Sequence, residues 1–199
     1  GWAGAEIVRS SDNTSFAALK SLTSQTVMGY LEGSGPLPAP TRGDVMDFTN
    51  TFVVRVNEGD TLSSVTRDEL LNDETINAAW VNGELLQFQT ATLIGTNTYR
   101  ISNLLRGRRG SDVFFSAPLP LSTQEGFVLL RTGGMTFIPV PNSDIGRTRY
   151  WKAVTFGQRL TDVSSEEYAP LAVNMRPISP VNARADRDAS DTVISWQRR

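Results

Sequence analysis

The stretch Thr98-Tyr99-Arg100-Ile101-Ser102-Asn103-Leu104-Leu105-Arg106-Gly107-Arg108-Arg109-Gly110-Ser111 reads as one strand running into a corner made of three arginines and two glycines. Just upstream, Ala78-Ala79-Trp80-Val81 and Glu84-Leu85-Leu86-Gln87-Phe88-Gln89 flank Asn82-Gly83. That dipeptide most readily supplies the two positive-φ residues of a type I′ hairpin turn. A Gly95-Thr96-Asn97 turn then leads into the quoted strand. The order predicts a three-stranded antiparallel meander closed by a glycine-arginine corner. Gly107 and Gly110 permit left-handed or sharply turned backbone there, and the neighbouring guanidiniums are shaped to fork onto carboxylates.

Outward from the meander, short apolar runs alternate with turn residues. Ala5 to Arg9, Phe16 to Leu22 and Thr26 to Leu31 read as strands, with Ser10 to Thr14 as a turn. Gly33-Ser34-Gly35-Pro36-Leu37-Pro38-Ala39-Pro40 mixes flexible and polyproline-like residues and reads as a surface linker. Thr51 to Val56 carries apolar residues on both faces, as a buried strand does. Thr66-Arg67-Asp68-Glu69 fits a capping box that opens a short helix through Leu71. Phe127 to Arg131 and Met135 to Val140 read as strands around Gly133-Gly134, and residues 149 to 156 as a half-buried one. Residues 166 to 176 are expected to pair back onto it, and 181 to 186 with 192 to 196 to form a hairpin. The domain reading is 1–47 as N-terminal strands and linker, pairing with 147–176; 48–146 as a central β module; 147–180 as closing strands and linker; and 181–199 as the start of a further module. The fold class expected is mainly β, antiparallel sandwich or barrel-like modules with one short helix.

Composition narrows function more than it names it. A chain of 199 residues, 39% hydrophobic and 20% charged, can bury a sizeable core. A net charge of -2 gives no global pull toward nucleic acid or an anionic membrane. No segment approaches the ~20 apolar residues of a spanning helix, and Gly1 to Glu6 lacks the basic start and apolar core of a signal peptide. The absence of cysteine removes disulfides and thiolate chemistry; the absence of histidine removes the commonest general base. Seventeen of the nineteen basic residues are arginine; either interface chemistry or the codon usage of a GC-rich genome produces that. A Gly-Trp start without Met and a finish inside a strand lead to the expectation that the sequence is a piece of something longer.

Carboxylates are the only catalytic currency left. Asp68 with Glu69, Asp73 with Glu74, and Glu166 with Glu167 are adjacent pairs, but glycoside hydrolysis needs two carboxyls about 5–10 Å apart across a cleft, and adjacent residues point to different faces. Asp186 to Asp191 lacks the glycine and distal Glu of a calcium loop and reads as a turn. No nucleotide, metal or other cofactor is expected. Trp80, Phe88 and Tyr99 would form a sugar platform on one exposed face, and are otherwise sheet core. The local charge concentration is the set Arg100, Arg106, Arg108 and Arg109, with Gly107 and Gly110 shaping it. Facing it in sequence is the acidic segment 57 to 74, including Asp68, Glu69, Asp73 and Glu74. These blocks pair either within one subunit, locking the corner, or across a symmetric ring in which each copy offers both signs.

The hairpin, the turn and the run through the RGRRG corner resemble the C-terminal region of the large, megatron-like tail-hub proteins of alphaproteobacterial gene transfer agents and related long-tailed phages. Further matches follow in order: Trp2 with Val8-Arg9-Ser10-Ser11-Asp12, Phe48-Thr49-Asn50-Thr51 with Val53 to Val56, Met175-Arg176-Pro177-Ile178-Ser179-Pro180-Val181, and Ile194-Ser195-Trp196-Gln197-Arg198-Arg199. The last of these is similar to the opening of a fibronectin III-like module, so residues 181 to 199 are expected to be its first hairpin, with Trp196 buried in the full sandwich. The resemblance implies a non-enzymatic structural part of a baseplate hub at the tail tip of a virion or gene transfer agent particle, made in the bacterial cytoplasm. It implies a homotrimer that meets distal tail and other baseplate proteins, and reaches host envelope components through attached domains. Tail closure, host attachment and DNA ejection are its implied work, without membrane insertion or strong nucleic-acid binding. The alternatives are a carbohydrate- or receptor-binding β-sandwich and, further off, a carboxylate-dependent glycosidase.

Overall fold

Asn82 and Gly83 adopt φ of 46° and 99°, the two left-handed positions that the dipeptide was read to supply, and the strands on either side pair from Val81↔Glu84 to Ala78↔Gln87. The computed structural model describes residues 2–33, 35–40, 46–116, 119–121, 126–172, 175 and 180–197. Its strands are β1 (Ala5–Ser10), β2 (Ala17–Leu22), β3 (Met28–Glu32), β4 (Gly35–Leu37), β5 (Phe52–Val56), β6 (Ala78–Val81), β7 (Glu84–Gly95), β8 (Thr98–Leu105), β9 (Leu119–Leu121), β10 (Gly126–Leu129), β11 (Arg149–Thr155), β12 (Glu166–Tyr168), β13 (Val181–Asp188) and β14 (Asp191–Gln197). Among the described residues there is one α-helix, α1 (Arg67–Asn72). Among the described residues every strand pairing is antiparallel. The protein is therefore mainly β with one short helix.

The chain divides into two compact units, 1–25 with 133–172 and 26–132 with 173–199. The second contains a closed six-stranded barrel in the order β10-β3-β5-β8-β7-β6. Leu31, Val54, Ala79, Leu86, Phe88, Ile101, Leu104 and Phe127 are all fully buried in its core. β5 does not have two buried faces: Phe52, Val54 and Val56 point inward while Arg55 is exposed. A break in alternation shapes β8. Asn103 sits at φ 57°, a left-handed residue that Asn tolerates better than most, so Leu104 follows Ile101 into the core. Its neighbour Leu105 turns to a second cluster with Met46 and Leu70. Leu70 belongs to α1, whose capping box forms as read: Thr66 Oγ1 accepts from the Glu69 N–H, and the Glu69 carboxylate accepts from the Thr66 N–H.

Several expectations change. Gly35–Leu37 is not linker but strand, paired with Leu119–Leu121, and Leu37 is 2% exposed within the barrel core. Met135 to Val140 is not a strand; prolines at 139 and 141 deny it ladder donors. The strand starting near Thr26 belongs to the barrel, and residues 133 to 146 fall in the other compact unit. β13 and β14 form a two-stranded sheet, with Val193, Ile194 and Trp196 exposed at 49%, 63% and 62%. Ser34, parts of the 166–176 and 175–181 expectations, and Arg198 and Arg199 lie outside the described residues.

The first unit is a four-stranded sheet in the order β12-β11-β1-β2. Val8 and Ser10 of β1 are buried in it. Asp144 clips it together, with Oδ2 accepting from Arg9 Nη1 at 2.9 Å and Oδ1 from Arg149 Nη2 at 2.6 Å. The Arg9 guanidinium also lies 5.6 Å from the Trp151 ring centre.

Two predictions follow from these contacts. A Cβ on Gly29 would stand 2.2 Å from the Arg55 carbonyl oxygen, whereas at Gly95 the nearest atom is 3.7 Å away. Urea unfolding should therefore show Gly29→Ala losing about 1–3 kcal/mol by overpacking, and Gly95→Ala less than about 1. The Asp144 carboxyl is held below the usual aspartate range, first by the Arg149 hydrogen bond and then by the charges of Arg149, Arg9 and Arg147. A depressed folded-state value means stability that is present above the ordinary aspartate value and lost as pH falls through the lowered one. The gap in unfolding midpoint between wild type and Asp144→Asn should be constant above about pH 5 and narrow as acid is added below about pH 4.

Candidate functional site: the arginine corner

Strand β8 ends at Leu105, and the next side chain in phase with the inward-facing Leu104 is Arg106. It enters the interior and is 3% exposed. Its partner arises by the same parity, because Glu84, Leu86 and Phe88 alternate on the inner face of β7. Glu84 is 1% exposed. Arg106 Nε donates to Glu84 Oε1 and Nη2 to Oε2, both at 2.7 Å. This is the forked geometry in which arginine and carboxylate bind best.

The remaining edge of the guanidinium is also used. Nη1 donates to Asp47 Oδ2 at 3.1 Å and to the Pro38 carbonyl at 3.0 Å. Asp47, 6% exposed, is fixed in turn. Its Oδ1 accepts from the Thr49 and Asn50 N–H groups, its Oδ2 from Asn50 Nδ2, and its backbone bridges to Leu104 in both directions. The Gly107 N–H adds a bond of 3.0 Å to Glu84 Oε1. Gly107, Arg109 and Gly110 have φ of 62°, 53° and 79°, so the corner needs left-handed backbone where two of its glycines stand. Ser111 locks the far side: its Oγ accepts from the Leu85 N–H at 2.9 Å and donates to the Arg108 carbonyl at 2.8 Å.

The other expected site residues are placed differently. Arg109 meets Glu74 at 3.7 Å, with both side chains at least half exposed, a contact of the weak, screened kind. Arg108 is half-buried, and burial pushes its guanidinium below the ordinary arginine value, opposed by Glu74. Arg100 lies exposed on β8 opposite Val53 and Thr92. Asp68 is exposed in the first turn of α1. Glu69 serves the capping box, and its carboxyl is held below the usual range by the Thr66 N–H and hydroxyl. Asp73 is likewise lowered by the Thr75 hydroxyl and N–H. Of the sugar-platform trio, Phe88 and Tyr99 are core at 0% and 7% exposure, and only Trp80 faces outward.

The residues that complete the corner, Glu84, Asp47 and the Pro38 carbonyl, are not among the site residues that the sequence singles out. A signal for the first was available: an acid in phase with Leu86 and Phe88 must be buried, and a buried carboxylate requires a cation. Asp47 carried no comparable signal, since it lies in an irregular segment 59 residues before Arg106.

Barrel and corner together define a class: a closed, antiparallel β-barrel module pinned at one seam by a buried arginine–carboxylate node. Residues 26–126 match the family model described as Rcc01698-like, C-terminal. That span is half of the chain and opens where the barrel unit opens, at Thr26; the chain belongs to this family. No curated protein matches the chain.

If the node carries the seam, removing one partner leaves an uncompensated buried charge. Arg106→Ala and Glu84→Gln should each cost about 3–5 kcal/mol in chemical denaturation. The double change Arg108→Ala with Arg109→Ala should cost about 1 kcal/mol or less. A loss from the outer double change as large as that from the inner ones would show that the seam does not rest on the buried node alone.

Proposed function

We propose that this chain is a structural, non-enzymatic module of a tail-tip baseplate hub in a phage or gene transfer agent particle, working in tail closure, host attachment and DNA ejection. The observation that carries the reading is the corner itself. The segment that most resembles the hub proteins, Tyr99 to Gly110, is the one whose arginine is committed to holding backbone: Arg106 satisfies two carboxylates and a carbonyl inside the barrel seam. Such a node gives rigidity and register, which a part transmitting force through a tail tip needs, and it leaves no guanidinium edge facing a substrate.

In this reading the module acts in a homotrimeric hub, against distal tail and other baseplate proteins, and host envelope components are met through attached domains. Its location is the tail tip of the particle, after synthesis in the bacterial cytoplasm. Adjacent carboxylates agree with a non-catalytic part, since Glu69 and Asp73 are engaged in local turns. The exposed charges Arg100 and Asp68, with the weakly paired Arg109 and Glu74, are the ones offered to contacts between neighbours.

Particles from a producing strain, labelled with antibody raised against this chain and viewed by negative-stain electron microscopy, should carry gold at the tail tip. Cross-linking of the same particles should give a trimeric band with that antibody. Label on the capsid, or intact particles without label, would overturn the reading.

A further inference from the structure

The outer wall of the barrel carries an aromatic patch that the corner does not use. On β6, Ala79 and Val81 face the core at 0% and 1% exposure, so Trp80 between them faces out, at 37%. On β3, Leu31 is buried while Met28 and Tyr30 on either side are exposed at 43% and 39%. Strand β10 lies between these two and sets their register. Val128 is opposite both Trp80 and Met28, and Gly126 is opposite Tyr30. Directly opposed residues share a face of the sheet, so these side chains stand together on one surface.

Gly126 is what makes the patch continuous. A Cβ there would lie 3.1 Å from Trp80 Cζ3, so the indole leans over the glycine into space any other residue would occupy. That brings it toward Tyr30 on the next strand. Tyr30 in turn is opposite Arg55 on β5, and Arg55 Nε holds Glu32 Oε1 at 2.5 Å, with side chains 49% and 27% exposed. The patch thus has two aromatic rings, one thioether, and at its edge an ion pair whose side chains keep 49% and 27% of their surface exposed.

We propose that this wall is a carbohydrate-binding surface for a neutral pyranose oligosaccharide. Sugar rings present apolar C–H faces, which pack on Trp80 and Tyr30, and rims of hydroxyls that both donate and accept. The Arg55–Glu32 pair supplies both complements at the edge of the rings, the arrangement of apolar lining and few polar groups that orients a small ligand. A dry protein contact would have to strip water from that ion pair, a cost that burial often fails to recover, whereas sugar hydroxyls replace the water they displace. The proposal goes beyond the structural role and does not depend on it.

The test is a titration of the isotope-labelled full chain with cellotetraose, chitotetraose and maltotetraose up to about 10 mM, a range in which millimolar binding is visible. At least one should give saturable shifts of the Trp80 indole N–H and the amides of Tyr30 and Gly126. Trp80→Ala and Tyr30→Ala should each weaken that binding about tenfold or more. Trp80→Phe, which keeps a ring, should retain part of it, and Leu93→Ala, at a distant exposed position, should retain all. Three outcomes would overturn the proposal: no shift with any of the sugars, saturable shifts that survive both alanine variants, or broadening of the same signals with protein concentration alone, which would show a second copy covering the patch.

Discussion

One guanidinium inside the seam sets the terms for everything around it. The charge of Arg106, on a side chain with 3% exposure, must be met by carboxylates that are themselves dehydrated. The forked bonds to Glu84, the third contact to Asp47 and the carbonyl of Pro38 meet it from three separate parts of the chain. A buried ion pair of this kind does little better than a well-packed apolar pair in net stability, but it tolerates no slippage. Shifting β7 against β8 by one residue would turn Glu84 away from the interior and leave Arg106 unmatched. The pairing Phe88↔Leu104 and the node are therefore one constraint.

Closure of the barrel is the second consequence of strict register. β10 has to reach both β3 and β6, pairing Phe127 with Gly29 on one side and with Val81 on the other. Such distant pairings are costly in chain entropy, and they succeed where backbones come close. Gly29 lets β3 approach the Arg55 carbonyl in a way no side chain would allow. The closed ring leaves no free edge among its six strands, which removes the usual hazard of edge-to-edge association. The same closure sorts residues cleanly into an inner set, with Leu86 and Ile101, and an outer set, with Trp80 and Tyr30.

What the sequence disclosed was local. The Asn82-Gly83 turn, the Thr66 to Glu69 box and the strand order through Ser102 each rest on a few adjacent residues whose backbone preference is strong, and each stands in the structure. What it concealed was pairing at a distance. Leu37 looked like linker because Pro36 and Pro38 surround it, yet its strand finds Leu119–Leu121 more than eighty residues on. Met135 to Val140 looked like strand by side chain alone, while its prolines withhold ladder bonds. In the corner, Arg106 was legible as one arginine among four. Its separation from Arg108 and Arg109 depends on Leu104 facing inward, and that follows from the left-handed turn at Asn103, which alternation alone would not predict.

The division of labour among the arginines carries the last step. Clustered in sequence, Arg100, Arg106, Arg108 and Arg109 look like one electrostatic feature, and a net reading of charge would treat them as a patch. The backbone disperses them: one into the core, one half-buried beside the turn, one onto a weak pair with Glu74, and one onto an open strand face. Of the four, Arg106 is the one shown meeting carboxylates that are themselves buried. A cluster of like charges in a glycine-rich segment is thus better read through the parity of the strand that enters it than through its sum. Arg106, in phase with the core, is structural, whereas Arg100 and Arg109, out of phase with it, stand at the surface.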